Sequence, residues 1–396
     1  MKLLLINHFP LSGSGSGTYT KNIAEHMVQR EHAVHIIFPE NQPPDSIYGA
    51  ELHPVMFELK DNKENLPFNF PCFTTHPRSS MSFGNMNDHD FSIYMEAFKN
   101  KIDVVFQSFS PHLIHTQHLW CLSALAGQYP CPCITTVHGT DLMGYAKWPH
   151  LRHFAEKAVE RSNKIITISK DIHASVAAMF PNDRDKMLLM HNGYNECVFY
   201  METVEIKNLL QTYKINYLGE KIVLFAGKLT SFKGVDVLLH AAQKYEKNNY
   251  VTIIAGSGEE IANLKQLKLD LQLKSIYFLG HVSQKELRRL YNIADVFVIP
   301  SRKEPFGLVA LEAMACGAPV VATAEGGLPD FVNEDVGSLI PTDNPIALAA
   351  AVKKEIKKTS LTRRKAIAAY TKLNFTQSAY MDKLVNCYND LLLKKE

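Results

Sequence analysis

Several protein classes are excluded by what these 396 residues lack. The seven cysteines are sparse and odd in number, and Cys131 and Cys133 flank a single proline, a spacing of neither zinc knuckles nor redox dithiols. Buried free thiols in a reducing compartment are therefore expected. No run of about eighteen apolar residues occurs, which excludes a membrane-spanning helix. Only Leu3, Leu4, Leu5 and Ile6 precede Asn7 and His8, far short of a secretory apolar stretch, so a cytoplasmic chain is expected. An excess of one charge is missing too: 42 Lys and Arg against 40 Asp and Glu leave +2, too weak a field for charge-driven nucleic-acid binding. With 20 glycines and 19 prolines the chain is neither collagen-like nor low in complexity.

What is present is a repeated alternation of short apolar runs with amphipathic stretches of helix length, the pattern of an α/β chain built on parallel sheets. The first half offers KLLLINHF, VHIIFP, LIHTQ, CITTVHG, KIITIS and KMLLMHNG as strands, with helical patterns such as residues 19–30 and 149–161 between them. A weakly patterned stretch spans residues 196–220, and a fresh series follows: KIVLFAG, VTIIAG, SIYFLG, DVFVIPS, PVVATA and VGSLI. The restart predicts two Rossmann-like domains, residues 1–200 and 201–374, facing a central cleft onto which strand-end loops open. Residues 375–396 read as an amphipathic helix with Tyr380, Leu384, Cys387, Tyr388 and Leu391 on one face, in need of a partner surface. The stretch from the forties to residue 90 has little periodicity and reads as long loops.

Chemistry-bearing residues gather where strands end. After the first strand, Gly13, Gly15 and Gly17 alternate with serines before a helix opening near Thr18, a loop whose amides can approach a phosphate. A dinucleotide site, with Glu40 as its ribose acid, and a plain flexible turn are the rival readings. In the second half Lys228 and Lys233 lie in a strand-to-helix loop and can neutralise a diphosphate or simply be solvated. Farther on, Glu304 stands in a loop and Glu312 on the following helix, with the amides of Phe306, Gly307 and Leu308 between them. Carboxylates accept hydrogen bonds from sugar hydroxyls, and helix-end amides receive phosphate oxygens.

The segment EPFGLVALEAMACGAPVVATAEGGLPD, with seven residues between Glu304 and Glu312, resembles the signature of the retaining glycosyltransferases of family 4. The GSGSG loop, HGTD at residues 138–141, HNGY at 191–194, GKLTSFKG at 227–234 and ADVFVIPS match in order. The resemblance implies the GT-B architecture, with the last helix crossing back onto the first domain. It implies a hexosyltransferase that moves a hexose or N-acetylhexosamine from a nucleoside-diphosphate sugar to a hydroxyl acceptor; UDP is favoured over GDP as the nucleotide, and UDP-glucose, UDP-N-acetylglucosamine and GDP-mannose all stay open as donors. By the same resemblance Glu312 binds the nucleotide ribose, Glu304 the donor sugar, and Lys228 and Lys233 the diphosphate. His138 lies beside the reacting centre, and the backbone of Gly15 and Gly17 approaches phosphate and acceptor. Neither metal nor cofactor is implied. The family usually has arginine where this chain has Lys228, which replaces a two-pronged phosphate contact by a point charge.

Competing readings are a GT-B epimerase or phosphorylase and a non-catalytic nucleotide-sugar sensor. Asp88-His89-Asp90 and Asp183-Arg184-Asp185 imitate acidic metal pairs but read as solvated turns. His112, His115 and His118 alternate faces in a strand, which disfavours zinc, although His118 could line the cleft. The basic stretch 352–365 reads as one solvated helix face, with peripheral membrane contact as its rival.

Overall fold

A computed structural model describes residues 1–58, 65–74 and 76–393. Residues 59–64 and 75 of the expected loops, and 394–396 of the expected terminal helix, lie outside the described residues. The chain divides into two compact units, Met1–Met190 with Met381–Glu396, and His191–Tyr380.

The first unit holds strands β1 (Lys2–Ile6), β2 (Ala33–Glu40), β3 (Ala50–Met56), β4 (Leu113–Gln117), β5 (Cys133–Val137), β6 (Lys164–Thr167) and β7 (Met187–Leu189). They form one parallel sheet in the order β3-β2-β1-β4-β5-β6-β7. Central strands are buried on both faces, so β1 is continuously apolar after Lys2. Where polar residues enter this core they satisfy one another. Ser123 donates to Thr116 at 2.7 Å, Thr116 and Thr135 share a hydrogen bond at 2.9 Å, and Thr135 meets Ser162 at 2.8 Å. The helix Gln377–Leu393 supplies its residues from Met381 onward to this unit, burying Leu384 and Tyr388 completely. Tyr388 Oη meets His115 Nδ1 at 2.6 Å, and His115 Nε2 meets Thr136 Oγ1 at 2.7 Å, so His115 is a core histidine.

The second unit holds β8 (Lys221–Ala226), β9 (Tyr250–Ala255), β10 (Ile276–Gly280), β11 (Val296–Ile299), β12 (Val320–Thr323) and β13 (Gly337–Ile340). Their order, β10-β9-β8-β11-β12-β13, is again parallel and reverses beside the first strand of the unit, between β8 and β11. In the first unit the same reversal falls between β1 and β4. In such sheets ligands sit beyond the carboxyl ends of the strands at the reversal.

The structure departs from the sequence reading in several places. The stretch expected as loops contains β3 and the start of a long helix, Asp88–Phe109. Asp88 and Asp90 therefore occupy a helix first turn, favoured by the helix dipole, with Asn87 capping the Asp90 amide. A short helix, Ile206–Thr212, interrupts the weakly patterned stretch 196–220. The glycine-loop helix starts at Gly15, three residues before Thr18, because the Ser14 side chain caps it.

The basic stretch 352–365 is not one solvated face. It is split between helices Pro345–Lys358 and Leu361–Asn374, the second capped by Ser360. Arg363 pairs with the fully buried Glu355 at 2.5 Å, and Arg364 donates to the carbonyls of Ala294 and Asn292 at 2.5 and 2.7 Å. These two arginines hold core elements together. None of the seven cysteines is in a disulfide; five are buried, Cys131 is half-buried and Cys197 is exposed.

Candidate functional site

Three strands of the first unit end in the same way. An apolar run stops, an amide residue follows in two of the three, and a histidine comes next: Asn7-His8 after β1, Gln117-His118 at β4 and His138 after β5. Gln117 Oε1 accepts a hydrogen bond from His138 Nε2 at 2.9 Å, which fixes the imidazole tautomer. The His138 ring lies 4.9 Å from His118 and 5.1 Å, edge-on, from Tyr19. The protein around it lowers the His138 pKa to about 3 by burial, so the ring is neutral at physiological pH. His8 is held neutral in the same way, donating from Nδ1 to the Gln117 carbonyl at 2.7 Å and accepting at Nε2 from the Leu122 amide at 3.1 Å.

Asp141, the last residue of HGTD, works through the backbone. It accepts from the amides of Leu119, Gly139 and Leu142 at 2.8, 2.8 and 3.2 Å, tying the loop after β5 to the loop after β4 and so aiming His138. Burial raises its pKa to about 6 against the pull of those amides.

Around these rings several buried side-chain atoms make no hydrogen bond within the protein: both polar atoms of Asn7, Nε2 of Gln117 and Nδ1 of His118. Such atoms normally find partners, and here they gather at the carboxyl ends of β1 and β4. Sequence reasoning missed Asn7, His8 and Gln117, although the recurring histidine at strand ends was a usable signal.

The glycine loop holds its glycines in two kinds of surroundings. Gly17 packs tightly: a Cβ there would stand 2.2 Å from the Pro10 carbonyl oxygen, and its amide donates to Ser14 Oγ at 2.9 Å. Gly15, at the first helical position, has open space where a Cβ would be. Glu40 is engaged by Arg78 through both carboxylate oxygens and is 2% exposed, so it cannot serve as a ribose acid of a dinucleotide site.

In the second unit the loops after β8 and β11 meet. Lys233 Nζ donates to Glu304 Oε2 at 2.6 Å, and Ser301 Oγ donates to the same oxygen at 3.1 Å. Arg302 clamps the two loops, pairing with Asp236 at 2.6 Å and Asp343 at 2.7 Å and donating to the Ser231 carbonyl at 2.6 Å. Gly307 has φ of 97°, a conformation suited to glycine, and opens the helix Leu308–Ala315 beyond the buried Phe306. The expected turn at Gly326 and Gly327 braces that loop: the Gly327 amide donates to the Glu304 carbonyl at 3.1 Å, and a Cβ on Gly326 would stand 1.9 Å from the same oxygen. His191 Nε2 meets Asp330 at 2.9 Å and stacks at 6.1 Å on Phe306.

Glu312 lies within the helix Leu308–Ala315. Burial raises its pKa to about 8, and a hydrogen bond from Tyr291 Oη at 3.3 Å only partly offsets this. The unit thus brings Lys233, Glu304 and the Gly307 helix start together at the adjacent ends of β8 and β11, with the half-buried Lys228 on the same loop as Lys233. His138, Gly15 and Gly17 belong to the first unit.

Comparison with known proteins agrees for both halves. Residues 13–196 match the family model described as Glycosyltransferase Family 4, and residues 212–373 match Glycosyl transferases group 1. An uncharacterized glycosyltransferase of Methanocaldococcus jannaschii is 38% identical over 56% of this chain and 59% of its own length. The D-inositol 3-phosphate glycosyltransferase of Mycobacteroides abscessus is 29% identical over 70% of this chain and 65% of its own length. The chain thus spans less than two thirds of the length of these relatives. Among solved structures, HepE from Anabaena in complex with UDP is similar with a TM-score of 0.77 and 17% identity, covering 99% of this chain and 100% of HepE. That likeness concerns the fold, GT-B with two parallel Rossmann-like sheets. With one family model on each half, the chain belongs to the family 4 glycosyltransferases.

Proposed function

We propose that this protein transfers a hexosyl unit from a nucleoside-diphosphate sugar to a hydroxyl acceptor with retention of anomeric configuration. The observation that carries the reading is the Lys233–Glu304 pair beside the Gly307 helix start, because it puts a cation, a carboxylate and helix-end amides at the ends of two adjacent strands. In the reading, Lys228, Lys233 and the amides of Phe306, Gly307 and Leu308 take the diphosphate. Glu304 turns from Lys233 to the donor sugar hydroxyls, and Glu312 takes the ribose diol. UDP is the favoured nucleotide, in keeping with the HepE complex.

The bond between the anomeric carbon and the β-phosphate oxygen breaks as the acceptor oxygen bonds to the same face of that carbon. The acceptor proton passes to the departing phosphate oxygen. Charge on that phosphate is met by ammonium groups and amides, so the step needs no cation cofactor. A double displacement would need a carboxylate nucleophile beneath the sugar, and both matched glutamates are otherwise assigned. His138, neutral and aimed by Gln117 and Asp141, positions the sugar without competing for the proton. Thiols without disulfides suit a cytoplasmic setting.

A thermal-shift panel of nucleotide sugars tests the donor, since a ligand at a hundred times its dissociation constant stabilises by about 2.7 kcal/mol. Proton NMR of the product then tests the stereochemistry. An α-linked donor is expected to give an α-linked product; a β-linked product refutes retention.

A further inference from the structure

A second cluster of ligating side chains lies on β2 and β3, apart from the strand-end loops described above. In the parallel register His35 of β2 faces Glu51 of β3, and Ile37 faces His53. Side chains alternate along a strand, so His35, Glu51 and His53 project from one face of the sheet. His35 Nε2 is 3.2 Å from one oxygen of Glu51, His53 Nε2 is 3.6 Å from the other, and His53 Nε2 is 2.9 Å from His35 Nδ1. One ligand atom from each residue falls within 4.8 Å of the others, and this is the group of three that does so among the described residues.

We propose that His35, Glu51 and His53 form a binding site for a divalent zinc-class cation, with water completing the coordination. Zinc bonds to nitrogen and oxygen of about 2.0 to 2.1 Å place tetrahedral ligands roughly 3.3 Å apart, so ligand atoms within 4.8 Å of one another need only small side-chain shifts to close on one ion. Two imidazoles and a carboxylate form the borderline donor set that divalent zinc, cobalt and nickel share. The rings are held in place: His35 stacks on Phe109 at 3.6 Å and 12°, and the two histidine side chains are only 15% and 18% exposed. Glu51, at 64%, leaves the outer side open for the ion and its water. The hydrogen bond between the rings needs a lone pair on one of them, so they do not face each other as two cations. Lys2 and Lys101 stand close enough to oppose a cation, which points to moderate affinity. Bound there, the ion would join the edge strand to its neighbour. The inference is independent of glycosyl transfer.

The test is calorimetric titration of the chelator-stripped full chain with zinc chloride, alongside Glu51→Gln and His53→Ala, each checked for its melting transition. Cobalt(II) absorption reports the geometry. The expected result is one zinc per chain, a higher melting temperature with zinc, and affinity at least about tenfold weaker in both variants. Glu51→Gln is exposed and isosteric, so it carries the test if His53→Ala fails to fold. Absence of zinc binding to the unsubstituted chain, or binding of equal strength in Glu51→Gln, overturns the proposal.

Discussion

Glu312 is a carboxyl whose surroundings keep it protonated: its pKa is raised to about 8. Because the folded state holds this proton more tightly than the unfolded chain, Glu312 subtracts stability as pH rises from the ordinary carboxyl range through 8. A ribose diol donates hydrogen bonds and favours the ionised form, so donor binding is expected to strengthen over the same rise. The gain is up to about tenfold per pH unit below 8. Calorimetry with an intact nucleotide sugar between pH 6 and 9 reads this directly, and Glu312→Gln is expected to flatten the profile. The Lys233–Glu304 pair makes a second prediction. Loss of a charged hydrogen bond is worth about 1.5 to 3 kcal/mol, so Lys233→Ala should weaken the nucleotide roughly ten- to a hundredfold. Glu304→Gln should spare the nucleotide and depress transfer, since it keeps the shape while releasing Lys233 for the diphosphate. Equal loss of nucleotide affinity in both variants, again by calorimetry, would reverse that division. Both charges were legible in the sequence as residues at strand ends. Their ion pair was not, because 71 residues separate them and only the adjacency of β8 and β11 closes the gap.

At the scale of elements, the glycine-loop helix sets two glycines in different surroundings, Gly17 crowded and Gly15 open. A Gly17→Ala methyl has nowhere to go against the Pro10 carbonyl, so a loss of roughly 1 to 3 kcal/mol in denaturant melts is expected. Gly15→Ala should leave stability level or slightly raised and yet lower transfer, if its backbone lies against a ligand. A loss of stability equal to that of Gly17→Ala would make Gly15 merely a packing residue. The sequence pattern revealed the second unit's six strands in order, because each is a short apolar run closed by a turn. It missed β3, whose residues are mostly half-exposed on the sheet edge and include Pro54, so no apolar run marks it. The His35–Glu51–His53 cluster was hidden for the same reason: without β3 there is no register to bring Glu51 beside His35.

For the whole molecule, glycosyl transfer is expected to persist in excess chelator, even where chelation lowers the melting temperature by emptying a zinc site on β2 and β3. Loss of activity restored by manganese would overturn the ammonium-based account of the leaving phosphate. The two-unit pattern was legible because the strand-helix series restarts near residue 220; the units' detailed edges were not, since one falls just after a three-residue strand at 190 and the other inside the continuous helix Gln377–Leu393, where no break in pattern marks it. The division also sets an order of events during synthesis. The second unit is contiguous, residues 191–380, whereas the first draws Leu384 and Tyr388 from the last helix. A ribosome therefore finishes the later-encoded unit before it delivers the residue that satisfies His115 in the earlier one. Released chains that stop at Tyr380 should be protease-resistant in the second unit, and the first unit should gain full resistance only in chains that extend beyond Tyr388.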